Sequence, residues 1–167
     1  MLHSIGTRKE DGAGDVVDRL VECHGRIRDV LALAEKIATT RDVPAEELRA
    51  ATERVRRYLV EALPLHVADE EQELLPRLRG RSVEVDAALA TMHGEHREHD
   101  PLVARMIAAC EAADAAAVAE VVAVMAPAMR AHLEVEEAVV FPALRALEVA
   151  VQEEIVAAMK ARRTKQR

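Results

Sequence analysis

Apolar residues recur every three or four positions through four long stretches of the chain, the spacing of helices that each bury one face. The first stretch runs from about Asp15, a possible N-cap, to about Thr40, with the stripe Leu20, His24, Ile27, Leu31 and Ala34. The second opens near Pro44, with Glu46 and Glu47 in its first turn; proline suits a helix start and acids suit its positive end. Its stripe is Leu48, Val55, Leu59, Ala62, His66, Glu70 and Leu74. Gly80 and Ser82 mark a turn, and the third stripe follows as Val85, Leu89, Met92, His96, His99, Val103, Met106 and Cys110. Asp114 can cap the fourth, with Val118, Val122, Met125, Met129, His132, Glu136, Val140, Ala143 and Leu147 in phase. Pro64, Pro101 and Pro127 fall inside these stretches. An interior proline costs about 3 kcal/mol and kinks a helix, yet each stripe keeps its phase on both sides, so the helices are retained. Four long helices with short links predict an all-α, up-down-up-down four-helix bundle. The expected organisation is a flexible lead-in over 1–14, the bundle over 15–150, and a short helix with a basic tail over 151–167.

Composition agrees with helices packed on helices. Half of the 167 residues are apolar, and the only aromatics are Tyr58 and Phe141. The net charge of −7 argues against general nucleic-acid affinity. No apolar run approaches the roughly 20 residues of a membrane span, and no signal-peptide stretch opens the chain. Two cysteines, Cys23 and Cys110, make no disulfide framework, so a cytoplasmic location is expected.

The chemistry lies in what interrupts the stripes. Every helix places a histidine on its buried face, and two of them add a glutamate four residues on: His66 with Glu70, and His132 with Glu136. Four residues is one turn, about 6 Å of rise, so both side chains project the same way. A carboxylate alone in an apolar core costs several kcal/mol or loses its charge. Two carboxylates and four imidazoles converging in one bundle need a common partner, and a pair of cations supplies it, bridged by the carboxylates. A lone histidine on an apolar face is ordinarily a hydrogen-bonded core residue; the argument rests on all four helices contributing at one depth. A metal-free bundle with buried salt bridges would need Lys or Arg in phase with these acids, and the stripes hold none.

An internal repeat sharpens the pattern. His66-Val-Ala-Asp-Glu70-Glu-Gln-Glu-Leu-Leu75-Pro76-Arg-Leu78 aligns with His132-Leu-Glu-Val-Glu136-Glu-Ala-Val-Val-Phe141-Pro142-Ala-Leu144 at a constant offset of 66 residues. Cys23-His24-Gly25-Arg26 and Glu95-His96-Arg97-Glu98 correspond more loosely. The bundle thus reads as two helical hairpins related by a pseudo-twofold. Two His-x-x-x-Glu-Glu runs, each ending in Leu-Pro or Phe-Pro, resemble the hemerythrin-like, His-His-Glu cation-binding family, and the order His24, His66/Glu70, His96, His132/Glu136 matches that family's ligand order. The resemblance implies a non-haem di-iron centre, two iron ions joined by two carboxylates and an oxo or hydroxo group. It implies His24, His66, Glu70, His96, His132 and Glu136 as metal ligands, and dioxygen, peroxide or nitric oxide as the small ligand. Manganese and zinc suit the same donors.

The pattern departs from the oxygen carriers of that family. They carry His-x-x-x-His on the third helix, and here Met92 stands four before His96. His93 and His99 are candidates for a substitute ligand, a supporting partner or a residue on the approach side. The carriers place Asp five after the last helix's His; here that position is Glu137, and the four-residue spacing selects Glu136. Glu71 and Glu137 read as exposed neighbours, Tyr58 and Cys23 as core, His3 as solvated, and the Lys160–Arg167 run as a solvated helix end. The ligand set, one His short, favours redox turnover of peroxide, dioxygen or nitric oxide, because open positions mark catalytic metals. The rival is a non-enzymatic oxygen or nitric-oxide sensor or an iron-holding module. A monomer or weak homodimer without nucleic-acid or membrane partners is expected.

Overall fold

The computed structural model describes residues 15–165, and every described element is helical. The lead-in 1–14, with His3, lies outside the described residues, as do 166 and 167. Helix α1 spans Val16–Thr39 and α3 spans Val83–Glu111. Helix α2 is a continuous rod over 45–78 containing two wider π turns, Tyr58–Ala62 and Glu70–Leu74. Helix α4 covers Ala115–Arg145, with one π turn at Glu136–Val140, and α5 covers Val149–Thr164.

The caps follow the sequence. The Asp15 carboxylate accepts from Val17 N–H, and Asp114 accepts from the N–H groups of Ala116 and Ala117, satisfying donors that a first turn leaves free. Ser82 caps α3 by accepting from Val85 N–H, and Gly80 makes the preceding turn at φ +80°, where a side chain would be strained. The prolines do not end the helices. Pro64, Pro76 and Pro142 each stand two residues beyond a π turn. A proline has no N–H to donate and its ring crowds the carbonyl one turn back; the wider turn relieves the clash. All five helical prolines, these three with Pro101 and Pro127, are solvent-exposed. One stripe residue shifts as a result: Ala62 is half-buried and Leu63 takes the core position.

Two apolar clusters result. One gathers Ile27 and Leu31 of α1, Val55 to Leu63 of α2, Met106 and Cys110 of α3, and Val118 to Leu133 of α4. The other gathers Val16 and Leu20, Leu74 and Leu78, Val85 to Met92, Val140 to Leu147, and Ile155, Val156 and Met159 of α5. A polar layer of buried histidines and acids separates them along every helix of the bundle. The expectation that no stretch suits a membrane span needs one correction. By length and composition α4 is long and apolar enough, though it carries His132 and Glu136 in its middle and packs into both clusters.

Candidate metal centre

His24 leaves α1 about a third of the way along, His66 and Glu70 the second half of α2, His96 the middle of α3, and His132 and Glu136 the second half of α4. Each is at most 7 % exposed, and Glu70 and Glu136 are sealed at 0 % and 1 %. Both glutamates sit at the start of a π turn.

The structure brings all six together, in two overlapping groups. Donor atoms of His24, His66, Glu70 and Glu136 lie within 4.8 Å of one another, and so do those of Glu70, His96, His132 and Glu136. The carboxylates belong to both groups. Glu70 Oε1 is 2.9 Å from His66 Nε2 and 3.9 Å from His24 Nε2, while its Oε2 is 3.1 Å from His96 Nε2. Glu136 Oε2 is 3.2 Å from His24 Nε2, and its Oε1 is 3.1 Å from His132 Nε2. Each carboxylate therefore turns one oxygen toward the His24–His66 pair and the other toward the His96–His132 pair.

Those contacts are close but poorly aligned. Nε2 of His24, His66 and His96 and all four carboxylate oxygens of Glu70 and Glu136 lack a hydrogen-bond partner while fully buried. Buried polar atoms are nearly always paired, and leaving one unpaired costs about 1–3 kcal/mol. Asp69, next in sequence to Glu70 and equally buried, shows the other solution: it is paired with Arg162 and Arg163. Glu70 and Glu136 have imidazoles and each other around them, and among the described residues no arginine or lysine pairs with either. Burial opposes charge on Glu70, but His66, His24 and His96 hold its carboxyl well below the usual range. Burial likewise opposes charge on His24 and His132. Their glutamate partners outweigh it and raise both to about 9. Converging anionic oxygens and imidazole nitrogens without alternative partners suit a divalent or trivalent cation pair.

The backs of the rings are held as well. His24 Nδ1–H donates to Glu137 Oε1 at 2.8 Å, and Arg28 donates to the same oxygen. His96 Nδ1–H donates to Glu71 at 3.0 Å, and His132 Nδ1–H to Glu95 at 2.8 Å. A carboxylate only accepts, so Nδ1 carries the proton and Nε2 is turned to the centre. Glu71 and Glu137 are thus not the exposed neighbours expected from the sequence: both are one-third exposed and orient rings. Starting a π turn brings successive residues closer in direction than the 100° of an α-helix, so a Glu-Glu pair can serve both faces of the layer. The sequence carries no signal of this role for Glu95 beyond its place beside His96, matching Cys23 beside His24. His66 differs, with Cys23 against its ring in place of a carboxylate. Cys23 is core, as expected, but it borders the centre.

Met92 is 1 % exposed and packs in the apolar cluster around Leu20 and Leu74. His93 is turned outward and bonds Glu71 at 3.0 Å, outside both donor groups. His99 is buried, its ring 5.4 Å from that of His132, also outside both groups. It lines a cavity of about 40 Å³ together with His66, His96, His132, Val103 and Met129. Tyr58 is half-buried above this layer on α2.

Comparison with known proteins agrees with this geometry. No curated protein and no solved structure matches the chain. The family model described as the hemerythrin HHE cation-binding domain matches residues 15–144, which contain all six converging side chains. The chain belongs to the hemerythrin HHE cation-binding family.

Proposed function

We propose that the protein is a non-haem di-iron protein which binds or processes dioxygen, peroxide or nitric oxide, in an oxidative or nitrosative stress role. The observation that carries this reading is the division of each carboxylate, Glu70 and Glu136, between two histidine pairs. His24 and His66 would hold one ion and His96 and His132 the other. Iron bound there would supply one-electron redox chemistry with oxygen species. The chain itself holds the rings of His24, His96 and His132 in one tautomer, excludes bulk water and limits what can approach. The cavity beside His66, His96 and His132, about 40 Å³, has room for a molecule of roughly two or three heavy atoms.

The bundle is proposed as up-down-up-down. Each apolar cluster combines early residues of α1 and α3 with late residues of α2 and α4, or the reverse. The setting is proposed as cytoplasmic, and the protein as a monomer or weak homodimer.

Elemental analysis after anaerobic iron loading, an optical spectrum in air, and a peroxide-decay assay test the reading. Two irons per chain with peroxide consumption support turnover. Two irons with a reversible dioxygen or nitric-oxide spectrum and no decay of peroxide would support the sensing or iron-holding alternative. Failure to bind two transition-metal ions would overturn both.

A further inference from the structure

The 66-residue repeat breaks at one telling position. His66-x-x-Asp69-Glu70 aligns with His132-x-x-Val135-Glu136, so a buried acid in the first half stands where the second has valine. Val135 packs against the apolar cluster. Asp69, at 0 % exposure, is instead gripped by two arginines of α5. Arg162 Nη1 donates to its Oδ1, and Arg163 Nη2 donates to Oδ2 at 2.7 Å. Arg162 Nη2 also donates to Glu73 at 2.7 Å and to Gln72 at 3.0 Å, and Arg77 donates to Glu73 at 2.9 Å. Arg163 lies beside Cys23 as well, the residue against the His66 ring. Arg162 and Arg163, expected to be solvated, are therefore held against α2. Helix α5 also lies beyond the 15–144 that the family match covers.

We propose that Arg162 and Arg163, acting through Asp69, are positioning residues for the His66–Glu70 side of the metal centre. The inference rests on the di-metal reading above. The π turn at Glu70–Leu74 gives up regular α-helical bonding where Glu70 must be aimed, so that turn has less backbone rigidity of its own. Asp69 sits in the turn between His66 and Glu70, and pinning it from α5 fixes both. The α4 half gets the same restraint from apolar packing of Val135. A paired, hydrogen-bonded buried charge adds little net stability compared with an apolar substitute. Its use here is geometric: two guanidinium groups, one on each carboxylate oxygen, set the position and direction of Asp69 together.

The test is titration of the full-length, metal-free protein with cobalt(II), read by its visible absorption, for the parent, Asp69→Asn, Arg162→Gln/Arg163→Gln, and the triple variant. A fourth variant, Met159→Ala, loosens the apolar seat of α5 and keeps the Met159 backbone carbonyl that Arg163 Nη1 also bonds. Circular dichroism establishes folding for each. The expected result is a selective loss: one of two binding steps weakens about tenfold or more in the clamp variants. The triple variant weakens no further than Asp69→Asn or the paired glutamine variant, and Met159→Ala keeps both steps. Parent-like binding in folded clamp variants would overturn the inference, as would equal weakening by Met159→Ala. If Asp69→Asn does not fold, the paired glutamine variant, which leaves Asp69 in place, decides alone. A parent that binds no second ion would overturn the di-metal reading itself, a separate outcome.

Discussion

Glu137 accepts a hydrogen bond from His24 Nδ1 at 2.8 Å, on the edge of the ring opposite the one that faces Glu136. Consecutive glutamates thus address the two nitrogens of one imidazole from one turn of α4. On α2 the arrangement recurs, with Glu70 at His96 Nε2 and Glu71 at His96 Nδ1.

Glu137→Ala should therefore act on metal binding from outside the centre. It leaves a buried ring N–H unpaired and frees His24 to rotate or change tautomer. Affinity for ferrous iron should fall about tenfold or more, measured by competition with a chelating dye. Arg28→Ala, which removes only the second donor to Glu137, should change it far less. Equal effects would mean that charge balance, not ring orientation, is at work.

Removing ligands should separate the two positions. Glu70 reaches both donor groups, so Glu70→Ala should lower the metal content of both. His66→Ala touches one group, and should leave close to one ion per chain by elemental analysis. A His66→Ala protein that still holds two ions would place His66 outside the ligand set.

The metal-free protein should lose stability as the solution becomes alkaline. His24 and His132 rise from 6.5 in the unfolded chain to about 9 when folded. A raised folded value means stability fully present below 6.5 and lost as pH climbs through about 9. Glu70 is shifted the other way, so its contribution is present above 4.5 and fades in acid. The melting temperature of metal-free protein should accordingly peak between pH 4.5 and 6.5. Metal must displace the imidazole protons, so loading near pH 8 should release protons into a weakly buffered solution, and apparent affinity should rise up to about pH 9. Flat melting from pH 6 to 10 would contradict the ring–carboxylate pairing.

Met92→His adds an imidazole one turn before His96. Met92 is fully buried among apolar side chains, so the metal-free variant should melt lower than the parent. With metal present, the added donor should tighten binding and slow peroxide decay. Unchanged affinity and decay in a folded variant would show that no open position faces residue 92.

Much of this was readable in the sequence. The six converging side chains announce themselves because a charged or titratable residue on an apolar stripe is costly, and the 66-residue repeat marks two of the four helices independently. The caps at Asp15 and Asp114 were readable because they depend on local bonds alone. Glu71, Glu95 and Glu137 were not. An ideal 100° step turns them away from the core, and only a widened turn or a neighbouring helix shows which ring each one meets. Asp69 and Arg163 were still further from reach, since 94 residues separate them and no periodicity connects the two.

A π turn is an α turn with one residue too many. The helix beyond it is set round by about 100° relative to an uninterrupted rod. Deleting a single residue from Glu136–Val140 or Glu70–Leu74 would restore regular bonding and leave the helix beyond in its place, while closing the widened turn from which the paired glutamates are aimed. Elsewhere in these helices a lost residue breaks the stripe and the fold resists it. At these places the backbone would accept the shorter length, and the penalty would fall on the chemistry. Single-residue deletions within Glu70–Leu74 or Glu136–Val140 should thus yield proteins that remain helical and soluble but bind metal weakly.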